Sequence, residues 1–338
     1  MAEPSTRFVL CGDVNGNLDQ LHKVLTKIKE SDAFAACFCT GSFFKPAEGE
    51  ACSLSEAELT LSDTERAFVS GSRQFPLPVA FVDSSASPLG AWLRGSCPHG
   101  ADLAPNFRFL GAYGVYKFGS SGIRLAFVSG LEHPHRPPIA ESRTDLFRGP
   151  YFTTELIGRM HSIRAAEAGS VDLLLTCMWP SRLEKFLSDE CRGLLDEALK
   201  VGAEEIGFSE QISEWSRDFE SRYHVAAGKG CFYQRPPFAG STFGYCRRFV
   251  GLASLSSGQK TAKPLMKSMH ALDLCHLRCK SASTLKALPP NCTSDPLTSS
   301  KRPLPVVSEE APPRKIVRVE DDRRAAPGSS RSVHVGNL

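Results

Sequence analysis

The stretch Arg7-Phe-Val-Leu-Cys-Gly-Asp-Val-Asn-Gly-Asn17 joins an apolar run to a Gly-Asp-X-Asn-Gly turn. A short apolar run closed by glycine reads as a buried strand. Beyond the turn, Leu18, Leu21, Val24, Leu25 and Ile28 recur at helical spacing. They form one apolar helix face, and Asn17 or Asp19 is placed to cap its start. Ala35-Ala-Cys-Phe-Cys-Thr40 follows as a second apolar run and ends at Gly41-Ser42. Strand, helix and strand in this order make a βαβ unit, and two strands joined through a helix lie parallel. Asp13 is thereby set at the carboxyl end of the first strand and Ser42 at that of the second.

Outward from this unit, Leu77-Pro-Val-Ala-Phe-Val82, Phe107-Arg-Phe-Leu110, Gly114-Val-Tyr-Lys-Phe118 and Ile123-Arg-Leu-Ala-Phe-Val128 read as strands. Gly119-Ser-Ser-Gly122 makes the turn between the last two. Residues 46–66 are polar and acidic, as in an exposed insertion or a helix-bearing loop. Thr153 to Ala166 is a predicted helix capped by Thr153 or Thr154, and Cys191 to Val201 is a second, amphipathic one. Val171-Asp-Leu-Leu-Leu-Thr176 is a strand stopped by Trp179-Pro180. Arg222–Ala227 and Cys246–Ala253 are expected to be the last strands of a domain covering residues 6–272. His133-Pro-His-Arg-Pro-Pro138 reads as a rigid surface loop.

Residues 273–338 are expected to be a disordered tail. From 281 to 332, Ser, Pro, Lys, Arg and Ala dominate, and such a segment buries too little apolar area to offset chain entropy. Lys301-Arg-Pro-Leu-Pro305 and Pro312-Pro-Arg-Lys-Ile-Val-Arg318 are short basic clusters, either nuclear-import signals or solvated linker charge. The last residues, Ser332 to Leu338, are similar to the opening strand of an RNA-recognition motif, so the chain is expected to be a truncated piece of a longer protein.

The 338 residues suffice for one large domain or two small ones, and a hydrophobic content of 41% supplies a core. No apolar run reaches the ~18 residues that span a bilayer, so no membrane partner is expected. The polar start, Met1 to Thr6, is not a secretory signal. A net charge of +3 excludes wholesale electrostatic binding of nucleic acid. The twelve cysteines lack the paired C-x2-C spacing of zinc sites, and reduced intracellular thiols are expected. His270, Cys275, His276 and Cys279 have the residue types of a zinc clamp at a spacing that fits no familiar finger.

The opening turn resembles that of metallophosphoesterases, in which a strand delivers an aspartate and a histidine to a two-metal centre. The metals generate a hydroxide nucleophile and neutralise the phosphate. The resemblance implies an α/β, metallophosphoesterase-like αβ sandwich with mixed sheets and ligands at the carboxyl ends of its strands. The ligand positions are mostly altered. Asp13 remains a competent ligand, whereas Asn15 stands where the histidine belongs and offers a neutral amide oxygen. Ser42 replaces the bridging carboxylate. Asp83-Ser84-Ser85 replaces a Gly-Asn-His motif, Cys177 takes a histidine position, and His224 survives with Ala226 in place of its partner. Such sites need oxygen and imidazole donors in several places at once. No metal, no other cofactor and no catalytic residue are therefore expected, with Asp13 a helix cap and His224 a hydrogen-bonded core histidine. An atypical site at Asp13, Asn15 and His224 is the competing expectation. No phosphate loop and no G-x-S-x-G elbow are present, and Cys177 at an apolar strand end reads as an inert thiol.

Further segments make the likeness more specific. Leu10-Cys-Gly-Asp-Val-Asn-Gly16, Cys39-Thr-Gly-Ser-Phe-Phe44, Val128-Ser-Gly130, Val171–Pro180, Arg222-Tyr-His-Val-Ala-Ala227, Phe232-Tyr-Gln-Arg-Pro-Pro-Phe238 and Arg248–Ala253 occur in the order seen in the CwfJ family of splicing-associated proteins. The chain resembles the N-terminal half of that family, over roughly residues 6–272. The resemblance implies a nuclear, non-catalytic adaptor that binds and modulates the RNA lariat debranching enzyme. Late or post-splicing spliceosomal complexes and intron RNA are implied as further partners. The family continues into histidine-triad-like domains with cysteine and histidine motifs that this sequence does not contain. An active metal-dependent phosphodiesterase, or an RNA-binding protein whose C-terminal module is missing, are the alternatives. Phe232, Tyr233, Arg235 and Phe238 are candidate partner or RNA contacts; packing in a connecting loop is the other reading.

Overall fold

β1 (Thr6–Cys11) opens the computed structural model, which describes residues 5–31, 33–47, 53–133, 149–202, 206–256 and 264–298. Phe8 and Leu10 point into one apolar cluster, Val9 and Cys11 into another. This is the period-two pattern of a strand covered on both faces. The turn at 12–17 leads into α1 (Leu18–Ser31), and the chain returns as β2 (Ala36–Cys39), parallel to β1 with Phe8 opposite Ala36. The βαβ unit stands as expected.

The chain continues through α2 (Leu54–Leu59), α3 (Asp63–Val69), β3 (Val79–Phe81), α4 (Pro88–Ser96), β4 (Ala101–Ala104), β5 (Phe107–Phe109), β6 (Tyr113–Phe118) and β7 (Ile123–Val128). There follow α5 (Thr154–Glu167), β8 (Leu173–Thr176), α6 (Asp189–Val201), α7 (Glu210–Phe219), β9 (Tyr223–Ala226), β10 (Tyr233–Gln234), β11 (Phe238–Ala239), β12 (Cys246–Gly251), β13 (Met269–Leu274) and α8 (Ala282–Lys286).

Two mixed sheets result. The first has the order β13-β1-β2-β3-β5-β4, parallel in its centre and antiparallel at both edges. The second has the order β10-β12-β9-β8-β7-β6, with β11 beside β12. Phe8, Leu10 and Phe38 of the first sheet meet Leu173, Leu175 and Val225 of the second in a shared core. On the outer face of the first sheet lie Leu18, Leu21 and Leu25 of α1 with Phe68 of α3 and Leu89 of α4. On that of the second lie Leu156 and Met160 of α5 with Ile212, Trp215 and Phe219 of α7. The architecture is an α/β/β/α sandwich with mixed sheets. Each such fully buried side chain contributes about 1.5–3 kcal/mol.

Local chemistry sets the helix starts. Ser87 Oγ accepts from Gly90 N at 3.0 Å, and Pro88 occupies the first turn of α4, where its missing N–H costs nothing. Thr153 caps α5 by accepting from Leu156 N at 3.1 Å. Asn17 does not act as a cap; its amide nitrogen donates to Val14 O at 3.0 Å and Leu255 O at 3.1 Å, tying the turn after β1 to the segment after β12.

Two expectations are corrected. The strand at 246–251 is not the last: β13 runs antiparallel along the free edge of β1, Thr6 facing Leu274 and Cys11 facing Met269. The tail does not begin at 273 either. Leu274, Leu277, Leu285 and Leu297 are buried, Thr293 N donates to Pro237 O at 2.8 Å, and Asp295 pairs with Arg247 at 3.5 Å in the interior. Composition averaged over 281–332 conceals a few well-spaced leucines, and these suffice to hold residues 275–298 on the sandwich. Residues 299–338, with both basic clusters and the terminal segment, lie outside the described residues, as does the Pro-rich loop beyond His133.

Candidate functional site

The carboxyl ends of β1, β2, β3, β8 and β9 converge, and the turns that follow them bring most of the expected positions together. Ser42 N donates to Asp13 Oδ1 at 2.8 Å, and Asn15 N to Ser42 O at 2.9 Å. Ser84 N donates to Gly41 O at 3.1 Å, and Cys177 Sγ lies 3.8 Å from the same carbonyl. His224 stands one step behind, bonded to Thr176.

Asp13 does not cap α1. Its Oδ1 accepts from Ser42 N, and its Oδ2 accepts from Gly228 N at 3.0 Å and Ser254 Oγ at 3.2 Å. Ser42 follows a strand of the first sheet and Gly228 a strand of the second, so one carboxylate ties the two sheets together. Burial raises its pKa, while the three donors pull in the opposite direction. The approach is so close that residue 41 has to be glycine. At its φ of 94°, a Cβ would lie 2.0 Å from Asp13 Oδ1 and 2.8 Å from Ala227 Cβ.

Asp83 is the second buried carboxylate, and it faces a cation supplied by the chain itself. Arg94, in the last turn of α4, places Nη1 2.7 Å from Asp83 Oδ2; the two side chains are 2% and 0% exposed. The guanidinium also donates to Ser85 O at 2.9 Å and Gly149 O at 3.1 Å. Asp83 accepts in addition from Phe43 N at 2.9 Å, Ser85 N at 3.0 Å and Ser85 Oγ at 2.8 Å. Burial lowers the pKa of Arg94, and the charge of Asp83 is the largest influence holding it up. A buried pair persists only when its remaining donors and acceptors are satisfied in this way.

His224 Nε2 lies 2.8 Å from Thr176 Oγ1, which itself donates to Met178 O at 2.8 Å. The hydroxyl proton being spent, Nε2 carries the hydrogen and donates; this tautomer follows from the network. Burial, with a smaller push from Arg247, lowers the imidazole pKa to about 3, so His224 is neutral. Thr40 Oγ1 donates to Thr176 O at 2.7 Å, a second tie between the sheets. Burial lifts the Cys177 thiol to about 12, the condition of an unreactive cysteine.

A two-metal centre needs lone pairs directed at a shared point. Here Asp13 accepts from three protein donors and Asp83 from four, and the Nε2 proton of His224 is directed at Thr176 Oγ1. Among the described residues no group of three or more His, Cys, Asp or Glu is arranged to hold an ion. The residues present do not fit two metals. The zinc clamp does not assemble either: His276 Nδ1 bonds Asp172 Oδ2 at 2.9 Å, while the His270 ring stacks near Phe232.

The aromatic segment after β9 is corrected as well. Tyr233, Arg235 and Phe238 are buried and only Phe232 is partly accessible. Arg235 donates to Leu183 O at 2.9 Å, Lys185 O at 2.7 Å and Thr293 Oγ1 at 2.8 Å. Its guanidinium lies 5.0 Å from the Phe238 ring, with Arg247 at 4.9 Å, so these residues join the core to the 289–298 segment. Sequence reasoning missed Arg94. Its signal was the Ser87-Pro88 helix start, which announces α4 but not where α4 docks.

No protein-family profile matches the chain. Among curated proteins it is 28% identical to zinc finger CCCH domain-containing protein 59 of Oryza sativa subsp. japonica, over 91% of this chain and 46% of the relative. It is 26% identical to CWF19-like protein 1 of Mus musculus (89% and 50% covered) and 24% to its Caenorhabditis elegans homologue (88% and 48%). The chain thus spans about half the length of the curated relatives it matches. Solved structures similar to it include a Thermus thermophilus protein at 14% identity, TM-score 0.45, covering 75% of this chain and 92% of that one. A phosphatase of Mycoplasma pneumoniae matches at 10% identity, TM-score 0.38, covering 84% and 100%. With relatives named CWF19-like protein 1 aligned along nearly nine-tenths of its length, the chain is similar to the CwfJ/Cwf19 family.

Proposed function

We propose that this chain is the sandwich part of a nuclear, splicing-related adaptor that performs no hydrolysis itself. In this reading it binds the RNA lariat debranching enzyme and modulates intron turnover after splicing. The observation that carries the non-catalytic part is the saturation of the cleft. Asp13 is spent on Ser42, Gly228 and Ser254, and Asp83 on Arg94 and three further donors. An ion entering there would have to break bonds that join the two sheets. The similarity to relatives named CWF19-like protein 1 supports the splicing context.

The test has two parts. Calorimetric titration of the full chain with manganese is expected to show no saturable site at Asp13, and a generic phosphodiester is expected to remain uncut. Tight manganese binding together with turnover that Asp13→Ala removes would overturn the non-catalytic reading in favour of an atypical phosphodiesterase. Separately, the purified debranching enzyme is expected to bind the chain and change its turnover of a branched RNA; no binding to the chain would sink the partner assignment.

A further inference from the structure

A groove of about 590 Å³ opens at the amino ends of β8 and β12, at the opposite end of the sandwich from Asp13. Its two walls are held from the inside by fully buried carboxylates. Asp172 accepts from Leu277 N at 2.7 Å and meets His276 Nδ1 at 2.9 Å, which fixes the segment entering α8. Glu220 accepts from Phe243 N at 2.8 Å and from Thr242 N, which fixes the loop before β12. The Phe243 ring rests on Gly169, where a Cβ would lie 2.6 Å from the ring. Tyr245 stacks beside Phe243, centroids 5.6 Å apart and planes 24° apart. Both rings are half-buried.

The facing wall contributes Arg278, Lys280 and Lys286. The side chains of Arg278 and Lys286 are exposed and make no hydrogen bond or ion pair among the described residues. No Asp or Glu is among the described residues that line the groove. The nearby Glu167 is committed to Arg124 and Ser170. An aromatic stack beside a row of cations, with the local carboxylates turned inward, matches an unpaired base attached to a phosphodiester chain. We propose that this groove binds single-stranded nucleic acid, with phosphates along Arg278, Lys280 and Lys286 and a base against Phe243 and Tyr245. The site is independent of the cleft at Asp13 and of the adaptor reading.

The test is fluorescence anisotropy of a labelled oligouridylate with the full chain at rising potassium chloride. Three phosphate contacts on a single strand predict a slope of log affinity against log salt of about −2. Arg278→Gln with Lys286→Gln is expected to weaken binding by roughly ten-fold or more and to flatten that slope by about 1.4. Phe243→Leu keeps an apolar contact with Gly169 and removes stacking; it is expected to weaken binding on the order of ten-fold with the slope unchanged. A duplex of equal length is expected to bind less tightly. Several results would overturn the proposal: no saturable binding, unchanged affinity in the groove variants, or equal affinity for duplex. The same holds if neutralising Lys301, Arg302, Arg314 and Lys315 removes all binding, or if a polyglutamate peptide binds equally well and ignores Phe243→Leu.

Discussion

At the carboxyl ends of the strands polar groups point at one another; at the amino ends they turn their backs to an opening. Both ends rely on the same device, a buried carboxylate accepting backbone N–H groups. Asp13 and Asp83 use it to join elements across layers, Asp13 linking the ends of both sheets and Asp83 binding the helix-borne Arg94. Asp172 uses it to join Arg124 of β7 to Leu277, and Glu220 to hold the loop before β12. The role of a buried acid is thus told by where its donors come from. At the cleft the donors come from several elements, whereas Glu220 takes its donors from one loop and shapes a surface.

Substitutions at the two ends put this contrast at risk. The largest effect is expected for Arg94→Met, which strands Asp83 in the interior. The loss should be about 3–5 kcal/mol in urea denaturation, partly recovered by adding Asp83→Asn. An unchanged midpoint would mean that the cleft is not sealed by this pair. Asp13→Asn comes next, since an amide NH2 is forced against a backbone N–H; about 1–3 kcal/mol should be lost.

The pH dependence of stability probes the same end. The His224 pKa is lowered from its ordinary value to about 3. Below about pH 6.5 the unfolded chain therefore takes up a proton that the folded one refuses. Stability should fall with falling pH by about 1.4 kcal/mol per pH unit from this group alone. Asp13, raised by burial, acts with the opposite sign, because its folded carboxyl accepts a proton more readily than the unfolded one; its stabilising contribution grows as pH falls toward the ordinary carboxylate range. His270 and His22 are also lowered by burial, so the diagnostic quantity is the difference in slope between the wild type and His224→Gln. Equal slopes would show that His224 is protonated in the folded chain.

The smallest effect belongs to the open end. Arg278→Gln with Lys286→Gln should change the unfolding free energy by less than about 0.5 kcal/mol, as exposed positions usually do. A larger loss would mean that these cations brace the wall of the groove and do not await a ligand.

Most strands were legible because their signal is local. Ile123–Val128 and Thr6–Cys11 are apolar on both faces, and the α1 face repeats at helical spacing. The edge strand β13 and the segment to residue 298 escaped notice. An edge strand carries half the apolar pattern of a central one, and Leu285 and Leu297 are too far apart to register in a composition window. Phe232, Tyr233, Arg235 and Phe238 have the side chains of an interface, and no local pattern tells whether such residues meet a partner or their own core.

The βαβ opening, the helix and strand periodicities, and the exchange of ligand types at Asn15, Ser42, Ser84 and Cys177 could all be read along the chain. These are properties of neighbouring residues and need no partner to be seen. It took the folded molecule to show that Arg94 neutralises Asp83, that Asp13 spans two sheets, that His224 is a neutral donor, and that Phe243 faces Arg278 across a groove. Each of these is a contact between distant elements, set by how layers dock and which charges lose their water. Local pattern carries no record of either.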